Sequence, residues 1–257
     1  MSTKVAKDYQ HLKCRIEDFF ACRNEHQSAK ALIDAVASNN QVWIFGGMIR
    51  DITLFGREGF SSDIDIVFDG DREALSRILS TFATERLTMN KLGGLRFRYH
   101  HMDFDIWCLS DTWAFKEKII PLVDAKSLFH TTLMSWDAVL YDVHSHEVIM
   151  PENYLDDLMA GYLELVLRDT PNETGSLVKI LRTIFRKNVK KLGPALCMFL
   201  DQTLIHYSYS ALSEYELAHY NTSSFSALQY RSLVQSLIGN GGDKDLTLPV
   251  SRAGLHY

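Results

Sequence analysis

Residues 41–68 read QVWIFGGMIRDITLFGREGFSSDIDIVF, and the order of elements in this stretch decides the fold. Gln41 to Phe45 is a short β-type run and predicts a strand. Gly46-Gly47 follows, and Met48 to Leu54 predicts the first turns of a helix. Phe55 to Gly59 forms a loop. Asp63 to Phe68 alternates with period two and predicts a second strand. Paired glycines between a strand and a helix let the backbone approach a ligand closely. The helix N-terminus then offers free N–H groups and a partial positive charge to a phosphate. Arg50, on the first turn, can reach the same anion with a planar, permanently charged fork. Asp51 beside it can hold that arginine or cap the helix end.

In Asp63-Ile64-Asp65 the two acids are two residues apart, so on a strand both project from one face while Ile64 and Ile66 enter the core. Adjacent carboxylates repel unless a cation sits between them, and hard oxygen ligands suit Mg²⁺ or Mn²⁺ shared with substrate phosphates. Asp103-Phe104-Asp105-Ile106-Trp107 is a second acidic strand able to supply a further carboxylate. A lone DxD on a strand is usually a solvated strand face. Here glycines, helix and two acidic strands occur in order, which points to a phosphate-and-metal site and to in-line phosphoryl transfer.

Outward from this centre, residues 5–38 carry apolar positions at helical spacing and predict one or two amphipathic helices. Asp71 to Arg86 reads as a helix. Leu95–Tyr99 and Met102–Trp107 read as strands joined by a tight connection, and Ala138–Tyr141 with Glu147–Met150 as another pair. After Tyr154 the pattern is almost wholly helical until Gly239-Asn240-Gly241-Gly242, which reads as a flexible loop. The expected fold class is α+β: a catalytic head with a small mixed sheet over residues 1–152, then a helical C-terminal domain over 153–257.

With 46% hydrophobic and 23% charged residues the chain is expected to fold rather than be disordered. No apolar run approaches a bilayer span, and the polar opening MSTKVAKDYQ lacks the layout of a signal peptide. Cys14, Cys22, Cys108 and Cys197 form no CxxC pair, which favours a reducing, cytoplasmic setting. The net charge of −5 means that any polyanion must be met by a local patch.

The run Gly46-Gly47-Met48-Ile49-Arg50-Asp51, through Gly56, to Asp63-Ile64-Asp65 resembles the head-domain signature of the tRNA CCA-adding enzymes and bacterial poly(A) polymerases. These belong to the DNA polymerase β-like nucleotidyltransferases. The resemblance implies that Asp63 and Asp65 bind metal, that Gly46, Gly47 and Arg50 contact the incoming triphosphate, and that Asp51 supports them. It extends to Leu92–Trp107, where the register makes Asp105 the third carboxylate and Asp103 the runner-up. Further on the chain departs from the pattern. The family's RRD-F-T-x-N-A block aligns with Thr131 to Ala138 (TTLMSWDA), which lacks the arginines and has Asp137 in place of the asparagine. Its Asp-Pro becomes Met150-Pro151, whereas Asp156-Asp157-Leu158 and Leu181-Arg182 still fit. The helix that selects ATP and CTP has no counterpart.

Lys179, Arg182, Arg186, Lys187, Lys190 and Lys191 recur at helical spacing and predict one basic helix face, either a solvated surface or an acceptor-phosphate site formed by Lys179, Arg182 and Arg186. His100-His101 and His144/His146 fit no closed zinc site and read as surface or structural residues. Tyr207, Tyr209, Tyr215, Tyr220, Tyr230 and Phe225 read as packing rather than base-stacking residues. The leading function is transfer of a nucleoside monophosphate from an NTP to an RNA 3′ end, with tRNA first, in a specialised role such as a toxin or defence enzyme. The alternatives are transfer to a small molecule, protein or nucleotide, and a non-catalytic nucleotide-binding module. No membrane partner is expected.

Overall fold

Asp8 accepts a hydrogen bond from the His11 N–H at 2.8 Å and starts α1 (Tyr9–Ala21), a cap worth about 1 kcal/mol. The computed structural model describes residues 5–60, 62–241 and 244–249. These divide into two compact units, Met1–Thr132 with Trp136–Leu155, and Leu133–Ser135 with Asp156–Tyr257.

In the first unit α1 is followed by α2 (Asn24–Ala37), β1 (Gln41–Phe45), α3 (Gly47–Phe55), β2 (Ile64–Asp69), α4 (Arg72–Leu79), β3 (Glu85–Met89), β4 (Leu95–Tyr99), β5 (Met102–Cys108), the single turn α5 (Trp113–Lys116), β6 (Leu140–Asp142) and β7 (Val148–Ile149). The strands form one seven-stranded sheet among the described residues, in the order β3-β4-β5-β2-β1-β6-β7. β2 runs parallel to β5 and antiparallel to β1, so the sheet is mixed.

Both faces of its centre are covered. Ile44 pairs with Ile66 and Trp43 with Val67, so alternation sends the two pairs to opposite faces. Trp43 and Val67 join Leu109, Leu128 and Leu140 in a buried cluster, with Phe45 and Trp107 packed against it. On the isoleucine face α2 and α3 lie on the central strands, and α1 lies on both helices. Leu12, Ile16, Leu32, Val36, Ile64 and Ile66 are fully buried there, each contributing about 1.5–3 kcal/mol.

The sheet is larger than the small one expected. The helix expected over Asp71 to Arg86 ends early, since α4 stops at Leu79 and Glu85 and Arg86 open β3 instead. Every residue of β3 is exposed at the sheet edge, and its one brief alternation, Leu87 and Met89 against Arg86 and Thr88, is too short to mark a strand. Arg86 adds a positive φ of 56°, and the register shifts between Glu85 and Thr88.

The second unit contains α6 (Tyr154–Ala160, whose first two residues belong to the first unit), β8 (Tyr162–Leu163), α7 (Glu173–Arg186), β9 (Lys191–Leu192), α8 (Pro194–Leu204), α9 (Tyr209–Tyr220), α10 (Ala227–Asn240) and β10 (Leu246–Thr247). Helices dominate as expected, but a three-stranded sheet β10-β9-β8 accompanies them. Strands of two residues have no readable period. The glycine-rich loop is also corrected: α10 runs through Gly239 to Asn240 and ends at Gly241 with φ 73°, a left-handed cap suited to glycine. Gly242 lies outside the described residues. Among the described residues no helix is long and apolar enough to cross a membrane.

Candidate active site

The parallel pairing of β2 with β5 sets Asp65 opposite Asp105. Asp63 precedes β2 by one residue, and one ligand atom from each of Asp63, Asp65 and Asp105 lies within 4.8 Å of the others. Ile64, Ile66, Phe104 and Ile106 are buried between them, so the strands turn their apolar alternates inward and their acids to one face. Asp63 and Asp65 are half-buried and Asp105 is buried. Asp103 lies outside the triad, exposed, 3.6 Å from Arg98. Of the two acids on β5, the structure brings Asp105 to the site.

Asp105 has two holders that the sequence reading missed. Arg96 Nε donates to its Oδ2 at 2.7 Å, and Asn90 Nδ2 approaches both oxygens at 3.3 Å. Asn90 Oδ1 accepts from the backbone N–H groups of Leu92 and Gly94, which fixes the turn before β4. A Cβ on Gly94 would stand 2.8 Å from Asp105 Oδ1 and from Asn90 Nδ2, so a side chain here would push the carboxylate or its amide partner aside. Burial pushes the Asp105 carboxyl above its usual range, and the bond and charge of Arg96 work against that. A sequence signal for Arg96 existed. Counting back from the two-residue turn His100-His101 pairs Tyr99 with Met102 and then Arg96 with Asp105.

Gly46 has φ 69° and ψ −108°, a conformation open to glycine. Its N–H donates to Val139 O at 2.9 Å. A Cβ built on Gly47 would lie 3.6 Å from Arg50 Nη2 and 4.0 Å from Asp65 Oδ2. The absence of that carbon leaves a cradle between guanidinium and carboxylate, at the first turn of α3.

Arg50 is not the open fork expected from sequence. It is 6% exposed, its Nε donates to Asp51 Oδ1 at 2.8 Å and its Nη1 to Asp137 Oδ1. Of the two roles open to Asp51, the structure shows it holding the arginine. Burial alone would lower the Arg50 pKa, but Asp137 and Asp51 reverse that and raise it, so the cation is permanent. Its Nη2 lies on the Gly47 side. Asp137, met in sequence as a departure from a family pattern, is thus a buried counter-ion of Arg50. Tyr154 donates to Trp136 O at 3.0 Å nearby, and burial holds its phenol well above the usual range.

In the second unit the basic face is broken up. α7 ends at Arg186, Asn188 has φ 59°, and Lys191 sits on β9 beside Asp245. Lys179 and Arg186 are exposed. Arg182 faces inward: its Nη1 donates to Glu216 Oε1 at 2.6 Å, Thr222 Oγ1 at 2.7 Å and Ser224 Oγ at 3.1 Å. Its guanidinium carbon lies 4.0 Å from the centre of the Tyr220 ring. Glu216 is 0% exposed, so Arg182 neutralises a buried acid. Tyr230 donates to the backbone carbonyl of Tyr207 and serves packing, as expected.

No protein-family model and no curated protein matches the chain. Solved structures do. A CCA-adding enzyme in complex with ATP superposes with a TM-score of 0.60 at 16% identity, over 91% of this chain and 55% of the other. The Thermotoga maritima CCA-adding enzyme complexed with tRNA gives 0.52 at 15% identity, over 85% and 55%. The Bacillus stearothermophilus CCA-adding enzyme in complex with CTP gives 0.54 at 14%, over 75% and 47%. The fold is similar to that of the CCA-adding enzymes. The chain spans about half the length of these structures, and at such identity the likeness is one of fold alone.

Proposed function

We propose that the chain is a metal-dependent nucleotidyltransferase. It joins the α-phosphorus of a nucleoside triphosphate to a hydroxyl oxygen of an acceptor and releases pyrophosphate. The observation that carries this reading is the convergence of the Asp63, Asp65 and Asp105 carboxylates within 4.8 Å, next to the Gly47 cradle at the start of α3. Three carboxylates this close form a hard-oxygen donor set that fits Mg²⁺ or Mn²⁺, and a glycine gap between a guanidinium and one of those carboxylates has room for a phosphate oxygen. When bound, two such ions would neutralise charge on the triphosphate and lower the pKa of the acceptor hydroxyl.

The residues divide the work as follows. Asp63 and Asp65 hold the ions, and Asp105 is a further ligand or the base that takes the hydroxyl proton. Gly46 and Gly47 bring backbone N–H groups of the first turn of α3 to the triphosphate. Asp51 and Asp137 fix Arg50 so that it offers the phosphate an edge, Nη2, rather than a mobile fork.

The acceptor we favour is an RNA 3′ end, tRNA foremost, because similar folds occur in enzymes solved with tRNA and because Lys179 and Arg186 remain exposed for phosphate contacts. A small-molecule, protein or nucleotide acceptor is the second reading. It is favoured by the net charge of −5 and by the inward engagement of Arg182. The test incubates the protein and Mg²⁺ or Mn²⁺ with each labelled NTP, with and without total tRNA, beside the Asp63→Ala/Asp65→Ala double variant. Label entering RNA with wild-type protein alone is the expected result. Label in protein or a small product selects the second acceptor class, and no transfer with any NTP refutes the enzyme.

A further inference from the structure

The partner of Arg96 belongs to the carboxylate triad. β4 and β5 form a hairpin through His100 and His101, whose φ values of 46° and 68° are left-handed, and the register sets Arg96 directly across from Asp105. Leu95 and Phe97 on either side are buried, so Arg96 projects to the face that bears the acids. Its Nε contacts Asp105 Oδ2 at 2.7 Å, and its charge is also felt by Asp63 and Asp65. The guanidinium therefore stands where positive charge compensates the whole triad. Its side chain is 59% exposed, so the pair can part without unpacking the core. Asn90, at 3.3 Å from both oxygens, keeps the carboxylate aimed when the arginine leaves.

The geometry points to Arg96 as a positioning residue that acts as a built-in counter-ion: it holds Asp105 in the absence of substrate and yields it when a divalent cation arrives with the nucleotide. This rests on the nucleotidyltransferase reading above. Asp63 and Asp65 would then hold an ion while Arg96 still engages Asp105, and Asp105 would add its carboxylate as Arg96 gives way. A guanidinium and a divalent ion on one carboxylate repel each other over a few ångströms, so each weakens the other's hold on Asp105. The released guanidinium, planar and always charged, is suited to a phosphate of the incoming nucleotide. The arrangement makes divalent-ion occupancy depend on nucleotide and disfavours an ion-loaded site without substrate.

The test is a Mn²⁺ titration of the full chain without nucleotide, following free Mn²⁺ by electron paramagnetic resonance, with thermal melting as a check on folding. Arg96→Gln removes one positive charge beside the triad, and its affinity for the weaker Mn²⁺ ion is expected to rise about tenfold or more. Arg96→Ala gives the same gain by a different side chain. Arg96→Lys keeps the charge and returns the isotherm towards wild type, and Arg96→Gln/Asp105→Asn loses the gain. A purely structural arginine would give none of these. Coincident isotherms for wild type, Arg96→Gln and Arg96→Ala overturn the counter-ion role, and if the wild type still transfers labelled nucleotide the function stands. A wild type that neither binds Mn²⁺ nor transfers label overturns both.

Discussion

Alanine at Gly47 adds one carbon, 3.6 Å from Arg50 Nη2 and 4.0 Å from Asp65 Oδ2. Both are ordinary contact distances, and Gly47 sits in helical backbone at the start of α3, so nothing has to move to admit it. Loss of glycine's extra freedom in the unfolded chain offers up to about 1 kcal/mol of stabilisation. The same carbon fills the cradle through which a phosphate oxygen would reach the first turn. Charge-assisted hydrogen bonds of that kind are worth about 1.5–3 kcal/mol, or roughly 10- to 150-fold in kcat/KM for the nucleotide. Gly46→Ala is the control with the opposite signature. There φ is 69° and the new carbon would sit 3.2 Å from the Asp137 carbonyl oxygen, so about 1–3 kcal/mol of stability is lost to strain. Urea unfolding and labelled-nucleotide transfer, measured on both variants, separate the effects. A Gly47→Ala protein with wild-type kcat/KM, or one destabilised as much as Gly46→Ala, refutes the cradle.

Arg182→Ala strands Glu216, which is 0% exposed, and is expected to cost about 3 kcal/mol or more in urea unfolding; a change within about 0.5 kcal/mol would show the acid to be compensated otherwise. Gly239→Ala places a methyl where no atom lies within 4 Å, inside α10, and is expected to gain about 0.5–1 kcal/mol; destabilisation contradicts helical backbone at that position. Burial alone would raise the Asp111 carboxyl, but Arg72 and Lys116 overcome this and hold it below its usual range. The stability it confers is therefore complete above the unfolded carboxylate value of about 3.9 and is lost as pH falls through the lower folded value. The unfolding free-energy gap between wild type and Asp111→Asn should be present near neutral pH and close in strong acid. A gap independent of pH rejects the ion pair as its source.

The centre of the fold was legible because its signals are local. β1, α3 and β2 follow from period two, paired glycines and period 3.6 within 28 residues, and the burial of Ile64 and Ile66 follows from alternation alone. β3 was not legible, since Leu87 and Met89 against Arg86 and Thr88 give an alternation too short to separate from the helical run before it. The partners of the site residues escaped for a different reason. Arg50 meets Asp137 across 87 positions of sequence, and no local rule reports such a pairing. Arg96 was within reach through the hairpin register, but only once His100-His101 was taken as a two-residue turn in a place where asparagine and glycine are the usual guides. The basic run of α7 shows the converse error: helical spacing continued past Arg186 on paper, while the chain had already left the helix at Lys187.

The short segment Leu133–Ser135 carries a consequence for how this chain could be inherited or rearranged. It clusters with the second unit although the first unit's chain flanks it on both sides. There it lies antiparallel to Leu165 through Met134, with Ser135 N–H donating to Glu164 O at 2.9 Å and Val166 N–H to Leu133 O at 3.0 Å. A gene fragment encoding only the residues after Leu155 would deliver the second unit without its borrowed rung. Glu164 to Val166 would then present bare backbone donors and acceptors, the kind of edge that recruits foreign strands. A single breakpoint after Leu155 therefore parts the second unit from its own rung, and a fragment that keeps Leu133–Ser135 retains it.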